Sequence, residues 1–106
     1  MTFSAIIARY GDDAVLRSGT GETAAKCFIE PALTARSAGS IQTELGARDA
    51  GRYYGFFPAG TAVDGYSWVV CRGTAYDIVR AELYGGGGTA SHWEAALRRR
   101  EEASDG

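Results

Sequence analysis

Apolar and polar positions alternate in short stretches along most of this chain, and clusters of turn-forming residues separate the stretches. The exception is the beginning. Phe3, Ile6, Ile7 and Tyr10 recur at the i, i+3, i+4, i+7 spacing of a helix with one apolar face. Thr2 is placed to cap its start, and Gly11 with Asp12 and Asp13 supplies a turn that stops it. A helix this short needs a surface to dock on. Either it closes over the core of its own domain or it packs on a neighbouring subunit.

From Ala14 the pattern changes to period two. Ala14 to Arg17 makes a brief strand, and SGTGET follows as a turn. Thr23 to Glu30 makes a second strand, with Ala25, Cys27 and Ile29 on one face and Lys26, Phe28 and Glu30 on the other. Pro31 ends its ladder by removing a backbone donor. Residues 32–51 carry weak periodicity and small side chains; they read as an extended arm or long loop, with a short strand near Ser40 to Glu44. Arg52 to Phe57 is a dense aromatic strand and Ser67 to Cys71 the next. Gly73 then turns the chain into a long strand, Thr74 to Tyr84. In that strand Ala75, Asp77, Val79, Ala81 and Leu83 alternate with Tyr76, Ile78, Arg80, Glu82 and Tyr84, and neither set is cleanly polar. Such a strand is covered on both sides in part, and its length suits a bend at a barrel corner.

The run Gly85 to Gly88 reads as a flexible connection, and Gly86 and Gly87 are candidates for contact with a neighbouring subunit. Ser91 to Arg98 alternates as a strand, although AALRRREEA also has high helix propensity; a strand followed by a charged tail from Arg99 is expected. Six short strands with frequent turns predict a mainly β fold, a small β-barrel with a short N-terminal helix and long loops. One domain spans 1–106: the helix lies within 1–12, the barrel in 14–98 with its extended loop at 32–51, and the charged tail in 99–106.

Composition narrows the functional classes. The 106 residues are 45% hydrophobic, enough for one core, and eleven basic against thirteen acidic residues leave a net charge of −2. That balance argues against a dedicated nucleic-acid binder, which carries a basic stripe. No apolar run reaches membrane-spanning length, and the first residues lack a basic start followed by an apolar stretch. No membrane contact is expected. Cys27 and Cys71 each sit in an apolar run and read as buried thiols, or as one disulfide if their strands are neighbours.

Few residues are arranged for catalysis. His92 is the only histidine, and as strand neighbours Ser91 and His92 are expected to point to opposite faces. The glycine run continues TASHW, without the lysine of a phosphate-binding loop. Asp12 with Asp13, and Glu101 with Glu102, belong to a turn and a tail, not a cleft. Arg98, Arg99 and Arg100 are largely offset by Glu101, Glu102 and Asp105. No enzyme activity, metal or cofactor is expected. The aromatic strand is more informative. Tyr53, Tyr54, Phe56 and Phe57 cannot share one face, so one face fills the core and the other offers an association patch or a stacking platform.

The segments CFIEP, TELGARDAGRYYGFFP, RGTAYDIVRAELY and SHWEAAL together resemble small proteins of the head–tail connection of tailed phages and prophages. The likeness is to the head-closure or head–tail joining group, in the short versions found in prophages of gut Firmicutes. It covers Val15 to Leu97. It implies a small β-barrel that forms a ring between portal and tail, with phage DNA passing transiently through the lumen. The implied partners are further copies of the chain, portal or adaptor proteins and tail proteins. The implied location is the neck or tail of the virion, after a stage in the host cytoplasm. Subunit contacts then fall on Ile41, Leu45 and Arg48 of the arm, Tyr54 and Phe56 of the aromatic strand, Gly86 and Gly87, and His92. Two other readings stay open: a barrel-type module that binds a peptide or nucleic acid through its aromatic strand, and a minor tail or tail-completion protein.

Overall fold

The structure, a computed structural model, describes residues 2–32, 51–86 and 89–100. Among the described residues it is a closed antiparallel β-barrel with an N-terminal helix packed against its wall. The helix α1 spans Phe3–Tyr10; the Thr2 hydroxyl accepts from the Ala5 N–H at its start, and the Gly11 N–H donates to the Ile7 carbonyl at its end. Six strands follow: β1 Asp12–Arg17, β2 Glu22–Pro31, β3 Arg52–Pro58, β4 Trp68–Cys71, β5 Thr74–Gly86 and β6 Thr89–Arg99. Around the barrel they run β1-β2-β3-β6-β5-β4, and β4 closes on β1.

Closure depends on β2. Its first part, Glu22 to Cys27, pairs with β1, and its last part, Phe28 to Pro31, pairs with β3. One strand thus serves two neighbours and turns the sheet between Cys27 and Phe28. The interior is filled by Leu16, Cys27, Phe57, Val69, Cys71, Ala95 and Leu97, with Val63 added from a 3-10 turn at Val63–Gly65. Among the described residues no polar or charged residue is buried. The core is therefore held by apolar packing.

Several expectations shift in register. Asp12 and Asp13, expected in a turn, are the first residues of β1, opposite Cys27 and Lys26. Gly85 and Gly86, expected in a flexible connection, belong to β5 and lie opposite Ala90 and Thr89. Residues 91–99 form a strand, because β6 is held on both sides by β3 and β5 and this pairing overrides the helix propensity of its sequence. Arg99, expected to open the charged tail, is the last residue of β6, and the Arg100 N–H still donates to the Ala75 carbonyl; the rest of the expected tail lies outside the described residues.

The mixed pattern of β5 has a specific cause. Ile78 faces Leu97 on β6 and Arg80 faces the next residue, Ala96, so Val79 is an extra residue, a β-bulge. Before it Tyr76 and Ile78 pack on the core; after it Ala81 does. The bulge reverses the phase of the strand. Neither alternating set could be wholly apolar, since the core-facing positions change set at Val79.

Arg72 and Gly73 join β4 to β5 with φ of 51° and 79°, the two positive values of a type I′ hairpin turn.

Candidate functional site

The densest cluster of chemically capable side chains lies on the outer wall, where β2, β3, β6 and β5 run side by side. Alternation turns Cys27, Phe57 and Trp93 toward the interior and leaves Phe28, Phe56, His92 and Glu94 outside. Phe28 lies directly opposite Phe56, Phe56 opposite Glu94, and Tyr84 opposite His92. The helix α1 lays Phe3 over this group. Its ring lies 6.5 Å from Phe28, 5.9 Å from Phe56 and 4.8 Å from the imidazole of His92. Tyr84 stacks on the imidazole, with centroids 5.6 Å apart and planes at 9°.

His92 is held by its ring nitrogens as well as its faces. Ser91 Oγ lies 2.9 Å from Nδ1, and Glu94 Oε2 lies 2.9 Å from Nε2. With the proton on Nε2, the serine hydroxyl donates to Nδ1 and the imidazole donates to the carboxylate, so both bonds are satisfied. This corrects the expectation that Ser91 and His92 diverge. The reason is a second β-bulge: Ser91 is an extra residue between the Tyr84–His92 and Gly85–Ala90 pairs, so strict alternation fails between Ser91 and His92. The order hydroxyl, imidazole, carboxylate is that of a hydrolytic triad. Here, however, Ser91 is the unpaired residue of that bulge, and the imidazole is engaged by the rings of Phe3 and Tyr84. The imidazole works as a docking post for α1.

A second clamp fixes the same helix. The Ala59 N–H donates to Ser4 Oγ at 2.9 Å, and the Ala59 carbonyl accepts from Trp93 Nε1 at 3.3 Å. Ile7 is fully buried beneath α1. The helix therefore closes over its own barrel, and Phe56 is covered by Phe3 from the same chain.

Among the residues expected at subunit contacts, Phe56 and His92 come together in this cluster, with ring centroids 6.2 Å apart. Tyr54 stands half-buried further along β3, opposite Glu30 and Ala96. Gly86 is the last residue of β5. Ile41, Leu45, Arg48 and Gly87 lie outside the described residues, as does the short strand expected near Ser40. Phe3, Tyr84, Ser91 and Glu94 were not expected in the cluster. Phe28 and Phe56, both out of phase with the core and both large, were the available signal that the outer wall needed a cover.

Elsewhere the chemistry is subdued. Cys27 and Cys71 are buried free thiols with sulfurs 4.0 Å apart, and burial pushes both thiols up from their ordinary value. Among the described residues no group of His, Cys, Asp and Glu is placed to hold a metal ion, and no helix is long and apolar enough to cross a membrane. The Tyr84 hydroxyl donates to Glu82 at 3.0 Å; that bond and the Glu82 and Glu94 carboxylates raise its phenol above the usual value. Compared with known proteins, the chain matches no family model, no curated protein and no solved structure.

Proposed function

We propose that this chain is a structural component of a tailed phage or prophage, built into a ring of identical subunits at the head–tail junction. The observation that carries the reading is where the resembling segments fall. CFIEP lies on β2, RYYGFFP on β3, SHWEAAL on β6 and TAYDIVRAELY on β5, and these four strands are consecutive around the barrel. Segments far apart in sequence thus compose one continuous wall. That suits a protein whose sequence pattern serves a surface and not a pocket.

The reading makes the chain a non-enzymatic part, with portal or adaptor and tail proteins as neighbours and DNA as a passing contact. The outer wall favours it over an aromatic binding module, because Phe28 and Phe56 are already covered by Phe3. The test is co-expression with a portal or adaptor protein from the same genome, followed by electron microscopy of the purified complex. A ring seated on the portal is expected. A chain that purifies alone and retains an oligonucleotide tightly would overturn the reading.

A further inference from the structure

The strand β5 has two sides, and they are not equally covered. Toward β6 it is paired from Tyr76 to Gly86; toward β4 it is paired only from Thr74 to Asp77, with one more bond from the Ile78 N–H to the Ser67 carbonyl. Among the described residues no strand pairs with the β4-side edge from Val79 to Gly86. An open edge is a template for another strand. This one also carries exposed apolar side chains: Val79 is 57% exposed and Leu83 47%.

The order of residues along that edge says which strand fits. Arg80-Ala81-Glu82 reads as its own complement about Ala81. Laid antiparallel against a second copy with the two Ala81 residues opposite each other, Arg80 of each copy faces Glu82 of the other. Val79, the bulge residue, falls out of this alternation, so the pairing rests on Arg80 and Glu82 about Ala81. Opposite-charge pairs of this kind stabilise antiparallel strands, and a two-fold axis makes the pair twice. The small alanine at the centre lets the two backbones approach.

The charges on β5 point the same way. Glu82 lies directly opposite Glu94 on β6, an unfavourable like-charge pair that a cation on the open side offsets. Arg80 has no carboxylate within ion-pair distance among the described residues, whereas Arg17, Arg72 and Arg100 each have one.

We infer that the β5 edge docks a second copy of this chain, strand to strand and antiparallel about Ala81, with Arg80 and Glu82 as the pairing charges. Such a contact closes on itself and gives a dimer; it is not the head-to-tail contact of a ring. It therefore goes beyond the proposed function and serves the subunit outside the ring, where an open edge invites aggregation.

Sedimentation equilibrium of the full chain tests it, using the single variants Arg80→Glu and Glu82→Arg. Both positions are exposed, so both variants keep the wild-type circular dichroism spectrum and melting behaviour. The wild type is expected to dimerise, and each variant to self-associate more weakly by on the order of ten- to a hundredfold. Mixing the two restores the dimer, since every pair across the edge is then again of opposite charge. A wild-type monomer, or an oligomer whose mass ignores both reversals, overturns the inference and leaves the ring reading intact. A charge-sensitive dimer that never joins a ring with portal or adaptor upholds the inference and sinks the proposed function instead.

Discussion

Phe3 meets the imidazole of His92 edge-on, with ring centroids 4.8 Å apart and planes at 78°. This contact joins the first residue of α1 to β6, nearly the whole sequence away. It turns a helix too short to persist alone into part of the barrel wall. Because Phe3 remains partly exposed, Phe3→Ala is expected to cost about 1–2 kcal/mol, less than a fully buried phenylalanine. Chemical denaturation gives the size. Hydrogen exchange gives the location, with protection lost across Phe3–Tyr10 and kept in β6. A double-mutant cycle with His92→Ala is expected to return a coupling of about 0.5–1.5 kcal/mol.

The junction between α1 and β1 brings two backbone segments close together at Gly11. A Cβ added at Gly11 would stand 2.6 Å from the Ile7 carbonyl oxygen and 2.9 Å from the Cys27 nitrogen. Both are backbone atoms and cannot rotate aside. Gly11→Ala is therefore expected to destabilise the fold by about 1–3 kcal/mol. Gly19→Ala, where a Cβ meets nothing within 4 Å, is the control and is expected to stay near wild type. Thermal melts of the two variants make the comparison.

The turn from β4 to β5 isolates a purely conformational cost. At Gly73 a Cβ would also meet nothing, yet φ is 79°. Gly73→Ala is expected to lose about 1–2 kcal/mol from the left-handed backbone alone. Arg72 already bears such a cost at φ 51°, so Arg72→Gly relieves it while giving up an exposed ion pair with Asp12 of small worth. Equilibrium unfolding is expected to place Arg72→Gly at or above wild-type stability and Gly73→Ala below it.

The buried thiols set a pH dependence. Desolvation raises Cys27 above its ordinary 9.0, with the neighbouring Cys71 adding to the shift. Above about pH 9 the unfolded chain sheds this proton while the folded chain keeps it, so stability falls as pH rises. The expected slope is up to about 1.4 kcal/mol per pH unit for Cys27, and Cys27→Ala flattens it. Denaturation midpoints from pH 8 to 10 read the slope. Thiol reagents at neutral pH are expected to label Cys27 only as fast as the chain unfolds.

How much of this was legible in the sequence depends on the range of the interaction that decides each feature. The helix was, because the stripe of Phe3, Ile6, Ile7 and Tyr10 and the Thr2 cap are local signals, although Tyr10 ends up exposed. The strands were too, within a few residues at their ends. The bulge at Val79 was not, since an extra residue is defined only against the partner strand. Residues 91–99 were ambiguous for the same reason: propensity favoured helix, and pairing with β3 and β5 decided otherwise. The candidate site was half legible. Phe56 and His92 were singled out singly; that they meet, and that Phe3 covers them, follows from the path of α1 over the wall.

The central claim, that this chain is an assembling structural part of a phage neck, is tested most directly by mass photometry of the chain co-purified with a portal or adaptor protein from the same genome. The account predicts one dominant complex whose mass fits a closed ring of this chain on its partner, with a central opening in class averages. Separate species at the masses of the unbound proteins, across the accessible concentration range, would contradict it.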